Sequence, residues 1–382
     1  MAGPARETEA GRAGGRGRRW WRVVRRLAAA LVVAGLVALV GTRTGRYLIR
    51  AAWEEGKILR GRRPIVALVA DPATDAATRA KLRLVLEART FAADSVRLET
   101  GESFTQFTRL DRDTLVVLVS AARRDRLLVH RWWFPVVGSV PYKGFFDVDA
   151  ARAEAERLDR RGYDTALRPA SAFSTLGWFN DPLLSTTLRA DSLDLVDTVI
   201  HELLHNSFYA PGEAIFNESF ANFVGARGAE WFFRARGDTA AAALVGRRWE
   251  DERRLGAFWT WSYHALDSAF AEYPADDEPS RLARLAARDT IYARMLGVLV
   301  DSVGPQLTTR DTRLLPQVRF TNALIMARRI YLTELDLFEA VHAREGHDLP
   351  RTIARVTALA AAHRDRDPYD VLRSWLAEAT PP

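Results

Sequence analysis

The chain is 382 residues long, 48% apolar and 27% charged, which is material for one large domain or two ordinary ones around an ample core. It contains no cysteine, which excludes disulfides, thiolate metal ligands and cysteine catalysis, so any zinc site must be built from histidine and carboxylate. The net charge of +7 divides unevenly: residues 1–63 carry 15 Lys+Arg against 4 Asp+Glu, leaving 40 basic and 44 acidic groups in the other 319, so the body lacks the basic face that nucleic-acid binding requires.

In chain order, residues 1–26 read as an Arg-rich cytoplasmic tail and the uncharged run 27–42, bounded by Arg26 and Arg43, as a transmembrane anchor. The run is slightly short for a span, and the flanking arginines with Trp20, Trp21 and Tyr47 can reach the interfaces. A cleaved signal peptide shares this layout, but Leu39-Val40-Gly41 is a poor cleavage site, which favours an uncleaved anchor. Residues 43–64 read as a helical stem and 65–382 as the functional domain.

Within that domain, Leu82, Val85, Leu86, Ala88 and Phe91 have helical spacing over 71–93, and Leu115-Val116-Val117-Leu118-Val119 reads as a strand. The stretch 132–146, dense in Pro, Gly and aromatics, reads as an ordered irregular loop. A helix is expected over 149–161, stopped by Gly162, then an extended segment over 165–178 and a turn at 179–182. Residues 170–176 are either an edge strand along which a peptide lies or an ordinary core strand. Ser192 or Asp191 caps the next helix, whose buried side is Leu193, Val196, Val199, Ile200, Leu203 and Leu204, and Ala210-Pro211-Gly212 ends it. A second helix runs from about 213 to 236, and the remainder is mostly helical with a polar break at 275–279. The fold class is α+β, mostly helical.

His201-Glu202-Leu203-Leu204-His205 carries the chemistry. Residues four apart on a helix sit about 40° apart around its axis, so both imidazoles reach one ion from the same face. Glu202 projects beside that ion, where it can take a proton from water; this is the zinc-hydrolase arrangement. The plain alternative is an amphipathic helix with two histidines at core spacing. A catalytic zinc takes three protein ligands, so a third must come from elsewhere. Glu218 lies on the following helix, and a tight turn would bring it back to the histidines; Phe216, Phe220 and Phe223 put it among core positions, where an unpaired carboxylate is costly. Glu213 and Glu230 rank below it. Asn222 and Asp197, each one turn from a ligand, can orient a ligand histidine. Tyr209, Tyr263, His264 and Tyr331 are candidates for stabilising the oxyanion.

These residues, together with the segments YLIRAAWEEGKILRGRRPI, FPVVGSVPYKGFFD, AFSTLGWFNDPLLST, FNESFANFVG and FTNALIMARRIY, resemble the bacterial family of predicted zinc aminopeptidases, membrane-attached and gluzincin-like, over about residues 47–340. The resemblance implies a zincin-like metallopeptidase domain with Zn2+ held by His201, His205 and Glu218, and Glu202 as general base. It also places Asn322 and Tyr331 in a shared C-terminal element and implies the inner membrane of a bacterial cell, with the catalytic domain on the periplasmic side. The chain departs from the pattern twice. Thr42 follows Leu39-Val40-Gly41 where members carry a lipobox cysteine, so a protein anchor must replace a lipid. The Gly-x-Met-x-Asn segment that binds a substrate N-terminus in better-understood gluzincins is absent, so "amino" comes from the family name and "peptidase" from the metal site.

The expected activity is hydrolysis of peptide bonds by water that zinc activates, with Glu202 shuttling the proton and Tyr209 or Tyr331 holding the oxyanion. The rival readings are a zinc-binding, membrane-tethered scaffold without peptidase activity, and an interaction module whose basic tail binds anionic lipid. Glu202 argues against a purely structural site, which has no use for a base.

Overall fold

The computed structural model describes residues 40–112, 115–134, 138–170 and 182–378, with short stretches and single residues between 20 and 37. It divides into two units, 1–60 and 61–382. In the first, α1 (Arg43–Arg60) is the expected stem, and Arg50 and Lys57 pair with Glu54 at 2.9 and 3.5 Å across single turns. No helix among the described residues is long and apolar enough to cross a membrane. The expected anchor over 27–42 lies largely outside the described residues, and the fold lends it no support.

The second unit begins with β1 (Arg63–Pro64), α2 (Ile65–Ala70), α3 (Ala76–Phe91), β2 (Gln106–Thr108), β3 (Val116–Arg123), β4 (Trp132–Phe134), β5 (Gly138–Val140), β6 (Tyr142–Phe145), α4 (Val148–Asp159), β7 (Tyr163–Ala170) and β8 (Leu183–Leu184). It continues as α5 (Ser192–Ser207), α6 (Ala214–Ala235), α7 (Thr239–Ala271), α8 (Glu278–Gly297), α9 (Asn322–Arg329), α10 (Leu335–Arg344), α11 (Leu349–Ala362) and α12 (Pro368–Ala377). The domain is mostly helical α+β, as the periodicity predicts. The stretch expected to be an irregular loop is instead three short strands: β4 pairs with β5, and β6 joins β3. These strands are too short to show an alternation; Pro141 separates β5 from β6, and Gly138, at φ +70°, opens β5. The extended segment expected over 165–178 is β7 as far as Ala170, and 171–181 lie outside the described residues.

β3 is the centre of an antiparallel sheet in the order β6-β3-β7. Tyr142 stands opposite Ser120, and Arg168 opposite Leu118. Directly paired residues share a face, and so do residues two apart on one strand, so Tyr142 and Arg168 emerge from the same face of the sheet.

α5 is the core of the helical part. Asp191 caps it, accepting from the amides of Leu193 and Asp194 at 2.9 Å, and Arg248 on α7 pairs with both Asp191 and Asp194. Leu195, Val196, Val199, Ile200, Leu203 and Leu204 are fully buried; Leu195 takes the place expected of Leu193, which is half-buried. At about 1.5–3 kcal/mol for each buried aliphatic side chain, this face holds the histidine motif rigidly. The helix stops at Ser207, before the expected breaker; Phe208 is already extended, and Gly212 takes the left-handed conformation in the connection to α6.

α6 then runs back along α5. Glu218 meets His201 and His205, Gly225 meets Asp197 and His201, and Gly228 meets Ile200, so one face of α6 lies along the His205-to-Asp197 stretch of α5. The two glycines set the spacing. A Cβ on Gly225 would lie 2.3 Å from Asp197 Oδ1 and 3.1 Å from His201 Cβ, and one on Gly228 would lie 2.8 Å from Ile200 Cγ2. On the opposite side of α6, Phe216, Phe220 and Phe223 are fully buried and stack around Phe338 of α10.

Candidate metal centre

The antiparallel pairing of α5 and α6 delivers the expected triad. His201 Nε2 lies 3.4 Å from one oxygen of Glu218 and His205 Nε2 lies 3.7 Å from the other. One ligand atom from each of the three residues falls within 4.8 Å of the others. Donors bonded to a tetrahedral ion at zinc–nitrogen and zinc–oxygen lengths stand roughly 3.3 Å apart, close to the 3.4 and 3.7 Å seen between each histidine and Glu218. The set of two imidazoles and one carboxylate is also what a thiol-free catalytic zinc site requires.

The charges agree with the geometry. Burial opposes the charged form of His201, yet the hydrogen bond to Glu218 and the charges of Glu202, Glu218 and Asp197 outweigh it and raise its pKa to about 9. His205 moves the other way, lowered by burial and by the neighbouring His201. Burial tends to raise the pKa of Glu218, but its hydrogen bond to His201 and the charges of His201, His205 and Arg168 hold it below the usual carboxylate range. Surroundings that favour a cation on His201 are the surroundings that attract a metal ion.

His201 and Glu202 line an open cleft of about 280 Å³ together with Asp194, Asp197, Thr198 and Asn222. Glu202 is half-buried there and faces the same space as the first histidine. Asp197 acts on His201 through its charge; desolvation lifts its own pKa to about 7.

The second expected orienting residue does something else. Asn222 Nδ2 donates to the carbonyl of Tyr331 at 2.7 Å, and one turn earlier Ser219 Oγ accepts from the amide of Thr333 at 3.1 Å. Both partners lie in the turn after α9, so α6 fastens that turn beside the triad. Tyr331 is half-buried there, and burial together with the charge of Glu218 pushes its hydroxyl up to about 12. Asn322 is a clamp remote from the triad. Its side-chain amide donates to the carbonyls of Arg123 and Arg124 at 2.8 and 3.1 Å, its side-chain oxygen accepts from the Tyr292 hydroxyl at 2.8 Å, and its backbone amide donates to Asp164 at 3.0 Å. It ties α9 to the end of β3 and the start of β7.

Tyr209 is exposed just past the end of α5 and raises the pKa of Tyr142, so it borders the site. Tyr263 is covered by the Arg329 guanidinium 3.5 Å from its ring centre and packs edge-on with His264; neither lines the cleft. Glu230 is taken up by Arg227, at 2.7 Å, and Arg234, and Glu213 is exposed at the start of α6, so neither joins the triad.

Two residues escaped the sequence reading, Tyr142 and Arg168. The turn that bears Tyr331 is bonded to Asn222 and Ser219, beside Glu218 on α6, and Tyr331 meets Arg168, which brings the sheet face shared by Tyr142 and Arg168 toward the triad. Arg168 lies over the Tyr331 ring at 5.2 Å, with one nitrogen 3.5 Å from the tyrosine hydroxyl. Tyr142 sits inside a segment read as loop. Arg168 is one arginine among many in this chain, with nothing local to single it out.

Fold and site define the class: a mostly helical α+β domain whose central helix pair carries a His-His-Glu set able to hold a metal ion beside a glutamate. The chain belongs to the family described as "Putative aminopeptidase", whose model matches residues 46–368, and that membership supports peptidase activity. No curated protein and no solved structure matches the chain.

Proposed function

We propose that this protein is a zinc-dependent peptidase in which His201, His205 and Glu218 hold the ion and Glu202 is the general base. The observation that carries the reading is the convergence of three ligand atoms from two helices within 4.8 Å of one another. A zinc ion bound there would supply Lewis acidity, polarising the scissile carbonyl and lowering the pKa of water to about 7.

Glu202, on the cleft beside His201, takes a proton from the attacking water and returns it to the leaving amine. Tyr331 carries its hydroxyl proton at neutral pH, as any tyrosine does and more firmly with its pKa raised to about 12 by burial and Glu218, so it can donate to the developing oxyanion. The exposed Tyr209 is the alternative donor. Asn222 and Ser219 hold the turn that bears Tyr331 and thereby position it. Attachment to a bacterial inner membrane through 27–42, with this domain outside the cytoplasm, is supported by the Arg-flanked apolar run. Aminopeptidase specificity rests on the family description.

The test is metal analysis of the purified chain combined with cleavage of a quenched peptide library. The expected result is stoichiometric zinc and hydrolysis that a chelator abolishes and zinc restores. Bound zinc without hydrolysis of any library member would favour the scaffold reading.

A further inference from the structure

Arg168 is exposed on β7, beside the candidate metal centre. Some arginines of this unit pair with carboxylates, as Arg227 does with Glu230 and Glu339 at 2.7 and 2.8 Å, and others lie over aromatic rings, as Arg329 does over Tyr263. Among the described residues, Arg168 has no carboxylate within ion-pair distance. Its position is nevertheless defined: the guanidinium lies over the Tyr331 ring and one nitrogen points at the tyrosine hydroxyl. The nearest acid of the site, Glu218, has both oxygens turned to His201 and His205. Arg168 acts on Glu218 through space, and its only side-chain hydrogen bond among the described residues is to the Tyr331 hydroxyl.

Arg328, on the last turn of α9 and three residues from Tyr331, also has no carboxylate partner among the described residues. A planar guanidinium matches a carboxylate with two parallel hydrogen bonds.

We propose that Arg168 is a specificity determinant that binds a carboxylate of the peptide substrate, against the Tyr331 and Tyr142 side of the metal centre. This rests on the peptidase reading. The carboxylate is either the free C-terminus of a short peptide or the side chain of an Asp or Glu beside the scissile bond; the recognition chemistry is the same. In either case the substrate class is anionic on this side of the cleft.

Equilibrium binding tests it apart from turnover. The full chain, carrying Glu202→Gln to prevent cleavage, is titrated by fluorescence anisotropy with twin peptides. One pair differs only in a free or amidated C-terminus, the other only in Glu or Gln next to the central bond. With Arg168 present, one carboxylate peptide should bind about tenfold more tightly than its neutral twin, by a margin that shrinks at high salt. Arg168→Met should erase that difference, and Arg168→Lys, which keeps the charge without the fork, should retain part of it. The pair that discriminates identifies the source of the carboxylate. Equal binding within both pairs when Arg168 is present, or a preference that survives Arg168→Met, overturns the proposal and leaves the peptidase reading standing. Absence of hydrolysis by the unaltered protein would sink the peptidase reading, whatever the binding series shows.

Discussion

Glu202 is the residue on which the proposed chemistry turns, because it shares a cleft with His201 and ligates nothing itself. Glu202→Gln should lower peptide hydrolysis by about 10²–10⁴-fold with zinc content unchanged, as measured by initial rates and metal analysis on one preparation. Glu218→Ala should instead lose the zinc; unchanged metal content in that variant would remove Glu218 from the site. Asn222→Ala separates positioning from ligation. It should reduce kcat about tenfold while KM and zinc stay near their original values, since only the tether to the Tyr331 turn is cut. His201, Glu202 and His205 were legible in the sequence because their relation is local, four residues on one helix. Asn222 was misread for the same reason: its partner is 109 positions away, and no spacing rule reaches that far.

At the level of elements, the site depends on how closely α6 lies against α5. Gly225→Ala puts a methyl where Asp197 Oδ1 and the backbone of Asp197 already stand, with a cost of about 1–3 kcal/mol for overpacking. The strain falls on the turn between Asp197 and His201, so thermal melting and zinc titration should both report it. Asn322→Ala should destabilise by about 3 kcal/mol in chemical denaturation, because it strands the carbonyls of Arg123 and Arg124 and the Tyr292 hydroxyl, and should leave zinc content unaltered in the folded fraction. The helices were readable from their apolar spacing and their caps, Asp191 foremost. The strands over 132–146 were not, since their pairing is decided by β3 and by one another rather than by an alternation of their own.

Across the whole domain, acid sensitivity follows from carboxylates held in their charged form. Hydrogen bonds from Arg157, against an opposing effect of burial, and from Trp132 lower Glu154 to about 2, and the hydrogen bond from Arg248 lowers Asp191 to about 2. A folded-state pKa below the unfolded one stabilises the protein above the unfolded value, near 4.5 for Glu154 and 3.8 for Asp191, and that contribution disappears as pH falls toward 2. The contribution of these two carboxylates to the urea midpoint, read as the difference between the unaltered protein and the Glu154→Gln, Asp191→Asn double variant, should therefore be constant from neutral pH to about 5 and be lost below it. Combining Glu154→Gln with Asp191→Asn should lower the midpoint at neutral pH and flatten the acid decline.

The sequence by itself determined the helical class, the limits of α5 and α6 to within a few residues, and the two histidines and the carboxylate that converge as a set able to hold a metal ion. All of these rest on periodicity, capping and the return of a helix across a short connection, which are properties of neighbouring residues. The tertiary structure decided what surrounds the metal centre: the turn after α9 pinned to α6, the Tyr331 ring beside Glu218, and the face of the β6-β3-β7 sheet that brings Tyr142 and Arg168 to the ligands. Those residues come from segments far apart in the chain, and they meet only because buried packing and strand register bring them together.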